Sequence, residues 1–390
     1  MEEPRLDTKL NKHDKIYHQL SYDILTSPKL NFREADRTVI HTIGGFGPQV
    51  HYDLSDGTIP LSQTKPIGYK TQLIPEIAGF IRNETNLKWY LEQGMKIWTA
   101  NAFNFYRNKL SEDHSWKNLK KDTPAFEEAL HDYEELVLSG KNSEAGDLGR
   151  FYPEQWRNWV GLLNEQGQEK TVYVDQLQDM VDNLQSNPTS RYHIVTAWNP
   201  VDVKFKQAAL APCHNMFQAY RYTDTEGVQR LDVKMYQRSC DHLLGKAFNA
   251  PQYAALTAKI ASLIGVEPGE FIHSFGDIHL YVGGDKRAEW YTKRENLKWL
   301  QDRVKTEHPH TVLEDLLKQL PDEQGTPGYD HIPYLLKQMG LKSKGPSPQM
   351  SVASKPLDKT EVDDFKITGY KLKDRPEKVL INDHPARMAS

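Results

Sequence analysis

Cysteine is scarce in this chain: the 390 residues contain two, Cys213 and Cys240. They stand apart from any CxxC or Cys/His ligand spacing, so neither a disulfide framework nor a metal site is indicated, and a reducing compartment fits. Long apolar runs are missing as well. The opening MEEPRLDTKLNKHDK has no apolar leader core, and stretches such as residues 280–282 fall far short of a bilayer span, which points to a cytoplasmic protein without a membrane partner. Positive charge is not in excess. A formal charge of -4 weighs against nucleic acid as the main partner, yet leaves room for a small basic pocket holding one phosphate. No internal repeat is visible, which excludes solenoids and propellers.

What is present is a core-forming composition, 38% hydrophobic with 10% aromatics, ample for a large domain. The first forty residues are polar with little periodicity, and VHYDLSDGTIPLS then reads as a strand and turn. Apolar spacing predicts helices over 71–82, 87–93, 123–140 and 174–185, the third with a Thr cap and a Gly stop. Strand character follows at 193–198, 215–222 and 231–239, a helix over 249–263, and a strand in FIHSFGDIHLYV. This order is mixed α+β rather than a regular βαβ array. The chain reads as a single catalytic domain over 1–390. It carries a helical insertion at 291–341 of two or three surface helices, a linker or loop at 342–356, a strand near 365–372 and a tail at 382–390.

Chemistry concentrates between Leu210 and Asn249. Cys213, in Ala-Pro-Cys-His, is a candidate nucleophile. His214 adjoins it, and Arg238 would favour its thiolate, although Cys240 lies beside Arg238 too and position alone does not choose between the thiols. Arg238 and Ser239, with Arg37 and Arg191 from elsewhere, form a candidate anion site; the same cluster around Asp241 would also suit the solvated end of a strand. Asn249 opens the predicted helix, where Asn commonly caps. Its amide also offers one donor and one acceptor, which matches N3–H and O4 of a uracil edge.

These blocks resemble the thymidylate synthase family of pyrimidine C5-transferases over most of the chain. The resemblance is carried in order by ADRTVIHTIGGFGPQVHYDLSDG, PEIAGFIRNETNLKWYLEQGMKIW, GDLGRFYPEQWRNW, SRYHIVTAWNP, LAPCHNMFQAY, YQRSCDHLLGKAFN and FIHSFGDIHLYV. It implies a large mixed sheet flanked by helices, and a homodimer in which Arg191 reaches the partner's site. It also implies covalent attack of Cys213 on C6 of dUMP, with 5,10-methylenetetrahydrofolate as co-substrate and no metal. By the same resemblance Glu76 organises proton transfer near O4 and Tyr152 stands near the C5 proton. Arg37, Arg238 and Ser239 hold phosphate, Asn249 reads the base, His279 and Tyr281 contact the ribose, and Trp98, Asp241 and Lys65 contact the reduced folate.

Departures from the family pattern bear on the product. Asn101 stands where a second Trp is usual, Arg191-Tyr192 replaces paired arginines, and Arg150-Phe151 replaces Pro-Val in the GDLGPVYG motif, with Arg150 a candidate replacement cation. The C-terminus runs on into NDHPARMAS instead of ending in a short apolar lid. A wetter site would let water, rather than hydride, complete the reaction. The pattern is therefore closest to the phage-type deoxyuridylate hydroxymethyltransferases, acting in a host cytoplasm to give 5-hydroxymethyl-dUMP and tetrahydrofolate. Synthesis of dTMP and dihydrofolate is the alternative, and a non-catalytic binding protein on the same scaffold a more distant one.

Overall fold

The structure is a computed structural model that describes residues 9–35, 40–121, 123–284, 286–322, 328–370, 380–381 and 384–387. The first half comprises α1 (Lys12–Thr26), β1 (Asn31–Arg33), β2 (Thr42–Phe46), β3 (Gln49–Asp53), α2 (Ile74–Arg82), α3 (Leu87–Glu92), α4 (Thr99–Arg107), α5 (Pro124–Ser139), α6 (Tyr152–Arg157), β4 (Trp159–Glu165), β5 (Gln168–Val174) and α7 (Gln176–Ser186). The second comprises β6 (Ile194–Thr196), α8 (Pro200–Lys204), β7 (His214–Thr223), β8 (Gln229–Asp241), α9 (Gly245–Ile264), β9 (Glu267–Tyr281), α10 (Lys286–Thr292), α11 (Arg294–Thr306), α12 (Pro309–Gln319), α13 (His331–Met339), β10 (Gln349–Val352), β11 (Phe365–Thr368), β12 (Leu380–Ile381) and β13 (His384–Pro385).

The main sheet runs β1-β2-β9-β8-β7-β6, with β3 also paired to β9; β8 and β9 are parallel and the other pairings antiparallel. This is the mixed α+β architecture expected from the residue pattern. Alternation explains which face is covered: Leu231, Val233, Met235 and Gln237 of β8 are buried, whereas Lys234 and Tyr236 between them are exposed. α9 packs on β8 and β9 and is buried along nearly its whole length, so its sequence is apolar all round rather than striped. One apolar core lies among α2, α3, α5, α7, α9 and the sheet, and a second among α1, α10–α13 and the strands β2 and β9. No helix among the described residues is long and apolar enough to cross a membrane.

Several elements depart from the reading of the sequence. α1 lies in the stretch taken as aperiodic, because its buried face is partly polar: His13, Asp14, His18 and Ser21 are buried beside Tyr17, Leu20 and Ile24. Asp14 accepts hydrogen bonds from Ser62 (2.6 Å), the Gln63 amide (3.0 Å) and Ser343 (2.5 Å), which no apolar period reveals. The helix placed at 249–263 starts at Gly245, so Asn249 lies inside it and is not its N-cap. The 291–341 stretch contributes to four helices from Lys286 to Met339, and α13 is not a surface helix: Ile332, Tyr334, Leu335 and Leu336 are buried, and Tyr17 donates to Gln338 at 2.7 Å. The 342–356 stretch contains β10, paired antiparallel with β11. Within 382–390, residues 384–387 are described, with β13 paired to β12.

The α5 prediction, in contrast, matches closely. Thr123 Oγ1 accepts from the Phe126 amide at 3.3 Å, Pro124 takes the first helical position, and Gly140 ends the helix at φ 66°.

Candidate active site

Strand register assembles the site from residues far apart in sequence. Gln237 on β8 pairs with His214 on β7, and Ser239 and Asp241 pair with Asp277 and His279 on β9. A register shift between His214 and Met216 marks where β7 emerges from the Ala211–Pro212–Cys213 turn. That turn is held from two sides. The Tyr152 hydroxyl oxygen accepts the amides of Cys213 (2.8 Å) and His214 (3.2 Å), while Arg238 donates to the carbonyls of Pro212 (2.8 Å) and Ala211 (3.2 Å). The Arg238 guanidinium reaches 4.0 Å from Cys213 Sγ and lies over the Trp198 ring.

Burial chooses between the thiols. Cys213 is partly exposed; Cys240 is 1% exposed, and burial, reinforced by Asp241, holds it as an inert thiol. His214 does not supply the activating cation, because burial pulls it down to about 4 against the opposing pull of Asn249, leaving it neutral at neutral pH. Arg238 is the charge beside the Cys213 thiol.

Glu76, in the first turn of α2, is buried with 7% exposure and accepts from Trp98 Nε1 at 2.7 Å and from Gln252 Nε2. Burial pushes its carboxyl up to about 7, opposed by those two donors, so it exchanges a proton near neutral pH. Tyr152 stacks on His214 with ring centroids 5.0 Å apart, and burial raises its hydroxyl so that it stays protonated. Trp98 packs edge-on against Phe151 and Tyr152 in the same wall.

Asn249 is half-buried on the first turns of α9, with Oδ1 accepting from Gln237 (3.0 Å) and Nδ2 donating to Gln252 (3.3 Å). His279 pairs with Asp277 at 2.6 Å, and Asp277 is bound in turn by Arg33. Burial alone would raise Asp277, but His279 and then Arg33 hold it below the usual carboxylate range. The Tyr281 ring lies 5.6 Å from that of His279 and 4.9 Å from that of His331.

Asp241 Oδ1 accepts the amides of Leu243 (3.0 Å) and Leu244 (3.3 Å), which explains its place at the end of β8, and faces His331 at 3.5 Å. Burial works against its ionisation, yet His331, His279 and the Leu244 amide together keep it below its usual value. Its second oxygen is buried without a donor among the described residues, as an acceptor for the N–H groups of a pterin-like ring would be. Lys65 is half-buried rather than solvated; burial lowers it to about 8, with Asp241 opposing.

Arg37 lies outside the described residues. Arg191 is exposed before β6, beside Tyr192 at 87% exposure. Ser239 is half-buried. Arg150 pairs with Asp202 at 2.8 Å on a cavity of about 920 Å³ whose lining reaches Pro212 but does not include Cys213, Glu76 or Asn249. Among the described residues, no group of three or more His, Cys, Asp or Glu could hold a metal ion.

Sequence reasoning missed Gln237, Gln252, His273, Asp277 and His331. Two carried a signal: Gln252 follows Asn249 by one helical turn, and Asp277 shares a strand face with His279. His331 comes from the helical insertion, and nothing local links it to Asp241.

A family model described as Thymidylate synthase matches residues 15–380. The curated relatives carry the same name. A thymidylate synthase of Staphylococcus haemolyticus (strain JCSC1435) is 36% identical over 287 residues, covering 70% of this chain and 83% of the relative. One of Listeria monocytogenes serotype 4a (strain HCC23) is 34% identical over 294 residues, covering 72% and 88%. With the family model spanning most of the chain and both relatives more than 30% identical over more than two thirds of it, the chain belongs to the thymidylate synthase family.

Proposed function

We propose that this protein transfers a one-carbon unit from 5,10-methylenetetrahydrofolate to C5 of dUMP, with Cys213 Sγ bonding to C6 while the C5=C6 electron pair moves toward C5 and O4. The observation that carries this reading is the clamped Cys213 turn: a partly exposed cysteine beside the Arg238 guanidinium, next to the phenol of Tyr152. Glu76, with a carboxyl near 7, exchanges protons on the base side of the site, where Trp98 and Gln252 hold both its oxygens. Asn249 reads the base edge and His279, oriented by Asp277, serves the ribose with Tyr281. Arg238, Ser239 and Arg37 serve the phosphate. The folate supplies the carbon when bound; Asp241, Trp98 and Lys65 are the residues that would hold it, and the unpartnered Asp241 oxygen suits its ring N–H groups.

The relatives, named thymidylate synthase, favour dTMP and dihydrofolate as products. A second reading, 5-hydroxymethyl-dUMP and tetrahydrofolate, is favoured by one position. Asn101 is half-buried on α4 one turn beyond Trp98, a polar amide able to hold the water that would end the reaction.

A homodimer is part of the proposal. The uncovered sheet face presents Tyr220 (64% exposed), Tyr236 (39%) and Ile194 (39%), an apolar patch in line with exposed Arg191, which would enter the partner's phosphate site.

Mass analysis after incubation with dUMP and 5,10-methylenetetrahydrofolate tests the reading. A methyl product accompanied by the dihydrofolate absorbance supports the synthase; a hydroxymethyl product without it supports the second reading. Folded protein that neither modifies dUMP nor releases its C5 hydrogen would overturn both.

A further inference from the structure

An asparagine amide alone does not tell uracil from cytosine. Rotated by half a turn, it presents its oxygen to the 4-amino group of cytosine and its N–H to N3. Discrimination requires that the amide be prevented from rotating, and the groups behind Asn249 do this.

Five side chains form one hydrogen-bonded file. His273 Nε2 faces Gln237 Oε1 at 2.8 Å, Gln237 Nε2 donates to Asn249 Oδ1 at 3.0 Å, Asn249 Nδ2 donates to Gln252 Oε1 at 3.3 Å, and Gln252 Nε2 donates to Glu76. His273, Gln237 and Gln252 are 0%, 2% and 1% exposed, so no solvent can replace a lost partner.

The direction of the file is set at its two ends, by a backbone carbonyl that only accepts and by the ionised Glu76 carboxylate. Gln237 Nε2 also donates to the Ser239 backbone carbonyl at 3.0 Å, and a carbonyl only accepts; turning the Gln237 amide would set two oxygens against each other. At the other end, Trp98 Nε1 can only donate and occupies one Glu76 oxygen, and in the ionised form of Glu76 the other oxygen can only accept from Gln252. Rotating Asn249 between these anchors would oppose oxygen to oxygen at Gln252 and N–H to N–H at Gln237. As held, the amide presents Oδ1 as its acceptor side and Nδ2 as its donor side, with His214 also hydrogen-bonded to it.

We infer that Gln252, backed by Gln237 and the Ser239 carbonyl, is a specificity-determining positioning residue: it locks the Asn249 amide in the orientation that accepts a 4-keto pyrimidine nucleotide and rejects a 4-amino one. The inference rests on the proposed reading of Asn249 as the base-reading group. It adds a residue on α9 that acts through Asn249.

The test is the dissociation constants of dUMP and dCMP for the full-length protein and for Gln252→Ala and Gln252→Met, the latter keeping length and apolar packing, each checked for a cooperative thermal transition. With the Gln252 arm gone, one of the two contacts that oppose rotation is lost and the turned amide becomes less costly, the Gln237 contact remaining. The ratio of dCMP to dUMP dissociation constants is expected to fall about tenfold, with dCMP binding tightening in absolute terms. A purely structural role would weaken both nucleotides together, and that result, or an unchanged ratio, overturns the inference while leaving the nucleotide reading intact. Wild-type protein that binds neither nucleotide overturns both.

Discussion

The Tyr152 hydroxyl oxygen accepts the Cys213 amide at 2.8 Å, so the first residue of α6 fixes the backbone of the residue proposed as the nucleophile. Both lie in the part of the molecule where β7 leaves its turn, and Arg238 closes the turn from the opposite side. Cys213 is thus positioned through its main chain.

Removing the sulfur separates chemistry from binding. Cys213→Ala is expected to lower turnover by at least about a thousandfold while the dUMP dissociation constant changes only a few-fold, since the amide clamp from Tyr152 is kept. Single-turnover kinetics with calorimetric titration checks this; unchanged turnover would remove the assignment.

Glu76 makes stability pH-dependent with a definite sign. Its folded pKa of about 7 lies above the ordinary 4.5, so the native state binds the extra proton between those values and the contribution of this group to stability declines as pH rises through that window. Relative to wild type, Glu76→Gln is therefore expected to gain up to about 3 kcal/mol between pH 4.5 and pH 8, read by denaturant unfolding at each pH. A flat difference would show that Glu76 ionises freely in the folded protein.

Asn101 is the position at which water control is testable. Asn101→Trp is expected to reduce the hydroxymethyl fraction of the product at least about threefold in favour of the methyl product, by excluding water from the wall shared with Trp98. Product mass ratios decide it, and an unaltered ratio would take Asn101 out of product control.

Arg191 acts across the subunit boundary under the proposed dimer. Arg191→Ala and Cys213→Ala, each nearly inactive alone, are expected to recover activity on mixing. Random exchange makes half the dimers hybrids with one of two sites intact, so recovery approaches about a quarter of the wild-type value. Absence of recovery after exchange, verified by mass-tagged subunits, would place Arg191 in its own subunit's site or outside the site altogether.

Elements with a strong local code were legible: α5 with its Thr123 cap and Gly140 stop, and the buried alternation of β8. α1 was not, because its face is sealed by Asp14 bonding to Ser62 and to Ser343, the latter 329 positions away. The β4–β5 hairpin escaped notice for the opposite reason. Leu162, Leu163 and Tyr173 are exposed there, so the strands show no buried face to betray them.

By itself the sequence determined the kinds of group present, a thiol, an arginine, a carboxylate, a phenol and an amide, together with the family motifs that carry them. Tertiary structure decided what each group is able to do. Burial made Cys240 inert and left Cys213 available, neutralised His214, and lifted Glu76 to the edge of ionisation. The orientation of Asn249 was decided by a backbone carbonyl at Ser239 and a carboxylate at Glu76, which meet only once β8, α9 and α2 have packed. Polarity of a hydrogen-bonded file depends on what stands at its two ends, and those ends are far apart in the chain.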